Sequence, residues 1–299
     1  PLRLVGSEMC IRDRYKCVEM RIIMCLSNYN NRLCDYHLHT SFSSDSDNPP
    51  ENVVRQAVKL GLKSICFTDH NDFDYPPENG EVMFMLDFKP YVDTITSLKE
   101  KYSHIIDISA GVEQGLMPSV AGRVNEYDKD SVLDFIIGSS HLVYGNDPYY
   151  DEFWQNISVK EGISTYYEGI IDSLKVCSNF DVYGHLDYIV RYAPGKDTAY
   201  NWKDYSDYID TILRMLIEKG KGIEINTSGL KYGLKNPNPC PDIIKRYHEL
   251  GGEIITTGSD AHKTEHIAYK FDVLYDILTN AGFKYYTIFK KRQPEFIRL

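Results

Sequence analysis

Short apolar segments alternate with amphipathic segments along most of the chain. The apolar segments are rich in Ile, Val, Phe and Tyr, and they have the length and composition of buried strands. They predict strands at residues 33–38, 64–68, 105–112, 134–138, 181–184, 222–226 and 253–258.

The segments between these strands carry apolar residues at helical spacing. Residues 51–62 show the pattern and contain Gly61 near their end, where glycine often terminates a helix. Further helices are predicted at residues 91–102, 161–177, 205–220 and 240–252. Repeated strand–helix units imply parallel strands joined by right-handed crossovers. We therefore predict an α/β fold, a distorted seven-stranded (β/α) TIM-like barrel, with an open doubly wound sheet as the alternative.

The first 32 residues do not follow this pattern. They show no period of 2 or 3.6, and their apolar stretch at 22–26 is too short for the core of a signal peptide. Residues 1–14 resemble translated adapter sequence, so an artefactual origin is one explanation for them, and Met20 and Met24 are candidate start residues. We expect 1–32 to be an extension outside the domain and 33–299 to form a single domain.

Composition and charge limit the classes of function. The chain has 299 residues, with 33 Lys and Arg against 43 Asp and Glu, and its formal net charge is −10. This charge disfavours binding to nucleic acid, and a phosphorylated substrate would need local positive charge. No apolar run approaches the ~18 residues that span a bilayer. The seven cysteines include no C-x-x-C pair, so we expect no disulfide framework, no zinc ribbon and a cytoplasmic location.

Residue types that bind metals occur at the ends of the predicted strands. At the C-terminal mouth of a parallel α/β barrel, such residues converge on one site. Side chains two positions apart in a strand share a face, so His37 and His39 can bind one ion, and Asp260 and His262 repeat the spacing. A single H-x-H is a weak signal, but its recurrence with further His and acidic residues at strand ends is a strong one. The other such positions are His70, Glu113, His141 and His185.

Several acidic residues near these positions have two interpretations. Asp35 lies on the same face of its strand as the first histidines and is a candidate to orient one of them from behind. Asp69 and Asp187 either support a histidine or cap a loop. Asp45 or Asp47 is a candidate ligand in the loop that follows, and we favour Asp45. The remaining histidines are interpreted as surface residues: His104, His248 and His266.

Seven motifs of the chain resemble those of the PHP (polymerase and histidinol phosphatase) superfamily, and the longer ones resemble its histidinol-phosphatase branch. They are DYHLHTSFSSDS (35–46), FTDH (67–70), GVE (111–113), GSSHLVYGNDPYY (138–150), YGHLDYIVRY (183–192), NTSGLKYG (226–233) and TGSDAH (257–262). The resemblance extends over roughly residues 33–290. It implies a distorted seven-stranded barrel with a site for three metal ions.

The resemblance also implies which residues bind these ions. The three ligand sets are His37, His39, Glu113 and Asp260; Glu113, His141 and His185; and Asp45, His70 and His262. Glu113 would bridge two ions. Mixed imidazole and carboxylate ligands suit Zn, Fe or Mn, and the sequence does not select among these three divalent metals.

Such a family member is expected to be a metal-dependent phosphomonoesterase. The resemblance implies that it hydrolyses L-histidinol phosphate, in histidine biosynthesis, by attack of a metal-activated hydroxide. One alternative is a PHP phosphoesterase acting on a nucleotide, an oligonucleotide or another phosphate ester. The other is a non-catalytic PHP module, for which eroded ligands and an adjoining polymerase would be expected. We predict a small-molecule phosphate ester as the partner, with no nucleic acid, no membrane and no obligatory protein partner.

Residues outside the ligand sets are candidates for binding the substrate. Arg191 is predicted to clamp the phosphate through two hydrogen bonds, and its alternative is an exposed loop arginine. Lys231 is a weaker candidate for the same group. Three aromatic residues are predicted to stack on a flat part of the substrate, with loop packing as the alternative: Tyr149, Tyr150 and Trp154.

Overall fold

Seven parallel strands form the centre of the computed structural model, which describes residues 33–128 and 132–299. In sheet order they are β1 (Asp35–Leu38), β2 (Ser64–Phe67), β4 (Asp107–Gly115), β5 (Phe135–Ser139), β6 (Val182–Tyr183), β7 (Gly222–Asn226) and β8 (Ile255–Gly258). A short strand, β3 (His70–Asn71), pairs with β4. All the predicted strands are present, but β4 ends three residues later than predicted, so Glu113 lies within it.

The two outer strands of this order meet and nearly close the sheet into a barrel. The backbone N–H of His39 donates to the Ala261 carbonyl (3.1 Å), and the N–H of Asp260 donates to the His37 carbonyl (2.9 Å). Leu38 and Ala261 form a parallel bridge at the same place. The predicted barrel is confirmed, and its closure brings the candidate ligands of β1 into contact with those that follow β8.

Helices surround the barrel close to the predicted positions. They are α1 (Pro50–Leu60), α2 (Phe88–Lys101), α3 (Ala121–Glu126), α4 (Asp151–Trp154), α5 (Val159–Val176), α6 (Ser206–Glu218), α7 (Ser228–Lys231), α8 (Pro241–Glu249) and α9 (Leu274–Ala281). Local sequence explains where some of them end. Gly61 follows α1 with φ 78°, a left-handed conformation that glycine adopts readily. Ser158 and Glu161 form a reciprocal capping box at the start of α5.

The strands are buried on both faces, which explains why they are apolar runs rather than alternating patterns. Cys34 and Cys66 are buried, and the cysteines of the described residues are all unpaired. None of the helices in the described ranges combines the length and apolarity needed to cross a membrane. The extension predicted at residues 1–32 lies outside the described residues, so the domain boundary at residue 33 stays a prediction.

A C-terminal hairpin, β9 (Tyr285–Lys290) and β10 (Gln293–Arg298), was not among the predicted elements. Its turn contacts the residues that precede β5 and β6, at the end of the barrel opposite the candidate ligands. Arg292 Nε donates to Asp181 Oδ2 (2.6 Å), and its backbone N–H donates to the Asp134 carbonyl (2.9 Å). The hairpin therefore closes the N-terminal end of the barrel.

We expect Arg292→Ala to lower the free energy of unfolding by about 1–3 kcal/mol, because it leaves the buried carboxylate of Asp181 without its cation. Urea unfolding followed by circular dichroism measures this loss. Arg55→Ala is the control, since Arg55 pairs with Glu51 on the surface of α1, where the loss of an exposed ion pair should leave the free energy of unfolding nearly unchanged. Equal losses for the two variants would contradict a stabilising role for the hairpin turn.

Candidate metal centre

The C-terminal ends of the strands meet around the carboxylate of Glu113, which is fully buried. Its Oε1 lies 2.8 Å from His185 Nε2 and 3.1 Å from His141 Nε2. Its Oε2 lies 3.0 Å from His70 Nδ1 and 3.2 Å from His37 Nε2. One carboxylate therefore faces imidazoles contributed by four different parts of the barrel.

Two further carboxylates lie beside this one. Asp260 Oδ1 is 3.4 Å from both His39 Nε2 and His262 Nδ1. Asp45 Oδ2 is 3.0 Å from His262 Nε2 and 3.7 Å from His70 Nε2, so Asp45 is the acidic residue of its loop that reaches the cluster. The structure thus brings all nine residues of the implied ligand sets into one cluster.

Two members of this cluster have a backbone conformation that residues with a side chain rarely adopt. The φ angle is 24° at His185 and 53° at Asp260. Strain of this kind persists where the surrounding structure holds the residue in place, and it is concentrated at functional sites. At Asp260 the holding contact is the hydrogen bond to the His37 carbonyl that closes the barrel.

Several buried atoms of the cluster form no hydrogen bond of normal geometry with the described residues, although some of them lie as close as 3.0 Å to one another. They include His37 Nε2, His39 Nε2, His70 Nδ1 and Glu113 Oε2. Buried polar atoms are almost always paired, so a group of unpaired ones that face each other needs an explanation. Cations bound at this cluster would provide it, because each of these atoms can direct a lone pair towards an ion. Nitrogen and carboxylate oxygen donors in this mixture suit Zn, Fe or Mn.

The charge state of the cluster also favours cations. Burial opposes ionisation of Glu113, but the surrounding imidazoles, led by His37, hold the pKa of its carboxyl well below the usual range. Burial, together with the neighbouring His262 and His70, holds the pKa of His39 well below its usual value. Burial opposes protonation of His37 and His70, but the carboxylates beside them raise the pKa of both imidazoles well above the usual value. A metal ion bound at these two positions would therefore take the place of a proton.

Two carboxylates behind the cluster were missed by the sequence analysis. Glu224 Oε1 lies 2.7 Å from His37 Nδ1, and Asp72 Oδ1 lies 2.8 Å from His141 Nδ1. The signals were present, since Glu224 is the one acidic residue of the apolar strand GIEIN and Asp72 follows His70 by two residues. Each carboxylate orients an imidazole whose other nitrogen faces Glu113.

The structure corrects the interpretation of Asp35, which orients no imidazole. Its carboxylate accepts hydrogen bonds from backbone N–H groups that follow β8. Asp187 likewise accepts hydrogen bonds from the loop that leads to α8, and it is a loop-capping residue. Asp69 has both of its predicted roles. It caps a loop by accepting a hydrogen bond from the backbone N–H of Thr40, and it supports His39 through the hydroxyl of Ser43.

A cavity of about 550 Å³ lies over the cluster. Arg191 lines it, and the guanidinium carbon lies 3.2 Å from the centre of the Tyr232 ring. Arg191 Nε is buried without a hydrogen-bond partner, and within the described ranges no acidic side chain forms a salt bridge with Arg191. Lys231 also lines the cavity, and its Nζ donates to the Asp260 carbonyl (3.2 Å). His266 lines the cavity too, although the sequence analysis placed it on the surface.

The three predicted aromatic contacts do not line this cavity. The Trp154 indole donates to the Pro148 carbonyl (2.9 Å), and the Tyr150 hydroxyl donates to Glu78 (2.5 Å). Tyr149 is largely exposed. Trp154 and Tyr150 therefore pack within the loops, which was the alternative interpretation, because their polar atoms form hydrogen bonds with loop residues. The aromatic residues that do line the cavity are Tyr188, Tyr192 and Tyr232.

Comparisons with known proteins agree with this geometry. The family model of the PHP domain matches residues 35–228. A histidinol-phosphatase of Lactococcus lactis is 32% identical, covering 83% of this chain and 91% of that protein. A probable histidinol-phosphatase of Clostridium acetobutylicum is 34% identical, covering 88% and 98%. The crystal structure of histidinol phosphate phosphatase from Lactococcus lactis, complexed with zinc, L-histidinol and phosphate, superimposes with a TM-score of 0.80 at 29% identity, covering 88% of this chain and 99% of that one. The chain therefore belongs to the PHP family, in its histidinol-phosphatase branch.

Proposed function

We propose that the protein is a metal-dependent phosphomonoesterase that hydrolyses L-histidinol phosphate to L-histidinol and phosphate. The observation that carries this proposal is the cluster of nine ligand-type side chains, seven of them buried, beneath a cavity whose arginine forms no salt bridge with the described residues. The relatives named as histidinol-phosphatases supply the substrate, since one of their crystal structures contains L-histidinol and phosphate. The reaction places the enzyme in histidine biosynthesis.

We infer that the cluster binds three divalent ions, with Zn, Fe and Mn as the candidates. This is supported by four overlapping triplets whose ligating atoms lie within 4.8 Å of one another: His37–His39–Asp260, His37–Glu113–His185, His39–His70–His262 and His70–Asp72–His141. When bound, such ions make a water molecule acidic enough to attack phosphorus and offset the charge on the phosphoryl oxygens. Glu113 lies between the groups and would hold two ions together.

The chain's own side chains then bind and orient the ester. Arg191 would donate two hydrogen bonds to the phosphate, and its stacking on Tyr232 keeps the guanidinium at the cavity wall. Lys231 adds a second positive charge on the same side. The strand-end serines are unsuited as nucleophiles because their hydroxyls are engaged. Ser139 Oγ donates to Glu113 Oε1 (2.7 Å) and Ser259 Oγ to Asp35 Oδ2 (2.6 Å).

The imidazole ring of L-histidinol phosphate, which is remote from the phosphate, would contact the tyrosines of the cavity. Tyr188, Tyr192 and Tyr232 offer aromatic faces to an imidazole ring, in place of the loop residues that the sequence analysis favoured. The phosphate is the same in every monoester, so selectivity has to come from these remote contacts. Their binding energy can be used to orient the phosphate, which raises kcat/KM rather than the affinity alone.

We expect kcat/KM for L-histidinol phosphate to exceed that for glycerol phosphate by about 10²- to 10⁴-fold, from two or three contacts of ~1–2 kcal/mol each. The measurement compares L-histidinol phosphate, glycerol phosphate, p-nitrophenyl phosphate and a short oligonucleotide, using protein loaded separately with Zn, Fe or Mn.

Comparable values for all the monoesters would contradict the proposed specificity and indicate a generalist phosphatase. Faster cleavage of the oligonucleotide would favour the alternative of a PHP phosphoesterase that acts on oligonucleotides. Metal-stripped protein is the control, since the proposed mechanism predicts that its turnover falls to the background of hydrolysis in buffer.

A further inference from the structure

Glu224 is a buried carboxylate that contacts two residues of the metal centre, although it is not one of the implied ligands. It lies in the middle of β7 and is 1% exposed. Its Oε1 is 2.7 Å from His37 Nδ1. Its Oε2 accepts hydrogen bonds from the backbone N–H of His185 (3.0 Å) and from Asn226 Nδ2 (3.1 Å).

The contact with His37 selects the nitrogen that faces the cluster. A carboxylate oxygen accepts hydrogen bonds, so when a cation occupies Nε2 the remaining proton of His37 belongs on Nδ1, next to Glu224. Nε2 is then left with its lone pair, and this is the atom that points at Glu113 and Asp260. His37 Nε2 has no hydrogen-bond partner among the described residues, as expected for an atom reserved for a cation.

The contact with His185 holds the backbone of a second ligand. His185 follows β6 with φ 24°, and its N–H donates to Glu224 Oε2. This conformation turns the imidazole so that Nε2 lies 2.8 Å from Glu113 Oε1. One carboxylate on β7 therefore fixes two ligands that belong to β1 and to the end of β6.

The fold leaves room for this carboxylate through a glycine on the neighbouring strand. A Cβ at Gly258 would overlap Glu224 Oε1 and would lie 2.5 Å from the Cβ of His37. Position 258 has no side chain, and this allows the backbone of β8 to lie close to Glu224 and His37. The packing of three strands is arranged around the Glu224–His37 pair.

We propose that Glu224 is a positioning residue that sets the tautomer of His37 and the backbone of His185 together, and so controls metal affinity. The inference rests on the metal centre of the proposed function but not on its substrate. Removing the carboxylate should weaken metal binding even though no ligand is lost, because the two imidazoles would no longer be held in the binding orientation.

Glu224→Gln tests this inference with minimal change in shape. The amide offers one oxygen and one NH₂, while His37 Nδ1–H and His185 N–H both need an acceptor. Either orientation of the amide therefore sets two donors against each other. We expect the dissociation constant for zinc, measured by competition with a chromogenic chelator, to rise by about 10- to 100-fold, with an unchanged far-UV circular dichroism spectrum.

Asp187→Asn is the matched control, because Asp187 is an equally buried carboxylate that caps a loop and touches no ligand imidazole. It should lower the melting temperature and leave zinc affinity unchanged. If Glu224→Gln binds zinc as tightly as the wild type, the inference is wrong. If both variants lose zinc in proportion to their loss of stability, Glu224 has only a structural role.

A measurement on the wild-type protein covers the case in which Glu224→Gln does not fold. In zinc-loaded protein with ¹⁵N-labelled histidine, the ring resonances of His37, assigned with His37→Gln, should show a protonated Nδ1 and a metal-bound Nε2. A metal-bound Nδ1 would overturn the inference. Wild-type protein that binds no zinc, iron or manganese would instead contradict the metal centre itself, so the two failures are distinguishable.

Discussion

Glu113→Gln is expected to lower kcat by about 10²- to 10³-fold or more and to reduce the number of metal ions bound per chain. Glu113 supplies both carboxylate oxygens to the cluster, with Oε1 facing His141 and His185 and Oε2 facing His70 and His37. An amide retains the shape but has one oxygen, no charge and an NH₂ group directed at a cation. The positive ions then repel one another without the carboxylate between them.

Metal content after gel filtration and kcat with L-histidinol phosphate are the two measurements. Glu168→Gln is the control, since it makes the same chemical change on the exposed surface of α5, where Glu168 accepts a hydrogen bond from Tyr208. Full metal content with a normal rate in Glu113→Gln would show that Glu113 does not bridge. Normal metal content with a strongly reduced rate would assign Glu113 to catalysis without a bridging role.

The barrel was predictable because its strands and helices have different hydrophobic periods. Parallel strands buried on both faces give continuous apolar runs, and the helices between them give apolar residues at helical spacing. The hairpin of β9 and β10 was missed for a physical reason. Most of β10 is exposed, so its sequence, QPEFIR, lacks the apolar character of a buried strand. Its place is set by contacts distant in sequence, such as Arg292 with Asp181.

The ligand cluster was predictable because its residues sit at strand ends that the barrel topology brings together. The carboxylates behind it were not, because hydrogen bonds between strands decide their partners. Glu224 is 187 residues from His37 in the sequence, and nothing in the local pattern pairs them. The cavity tyrosines were missed for a related reason. Tyr150 and Trp154, the predicted aromatic contacts, form hydrogen bonds with neighbouring loops instead of facing the cavity. Tyr232 lies in a segment where the sequence analysis identified only Lys231 as a candidate.

Arg191→Lys is expected to lower kcat/KM for L-histidinol phosphate by about 10- to 100-fold while leaving metal content unchanged. Lysine keeps the positive charge but cannot form two parallel hydrogen bonds to a phosphate or stack its head group on Tyr232 as a flat guanidinium does. Arg191 is also a partly buried cation, and it forms no salt bridge with an acidic side chain of the described residues. An anion bound in the cavity would therefore pair with its charge.

Arg123→Lys is the matched control for this prediction. Arg123 also lies over an aromatic ring, that of Phe73, but it pairs with Asp74 on the protein surface. Its replacement should leave kcat/KM unchanged. Loss of metal ions in Arg191→Lys would assign Arg191 to support of the metal centre, and unchanged kinetics would return it to the loop-arginine alternative. A fall in kcat/KM shared by L-histidinol phosphate and glycerol phosphate would place the contact at the phosphate, which both esters carry, because a contact to the remote imidazole would affect L-histidinol phosphate alone.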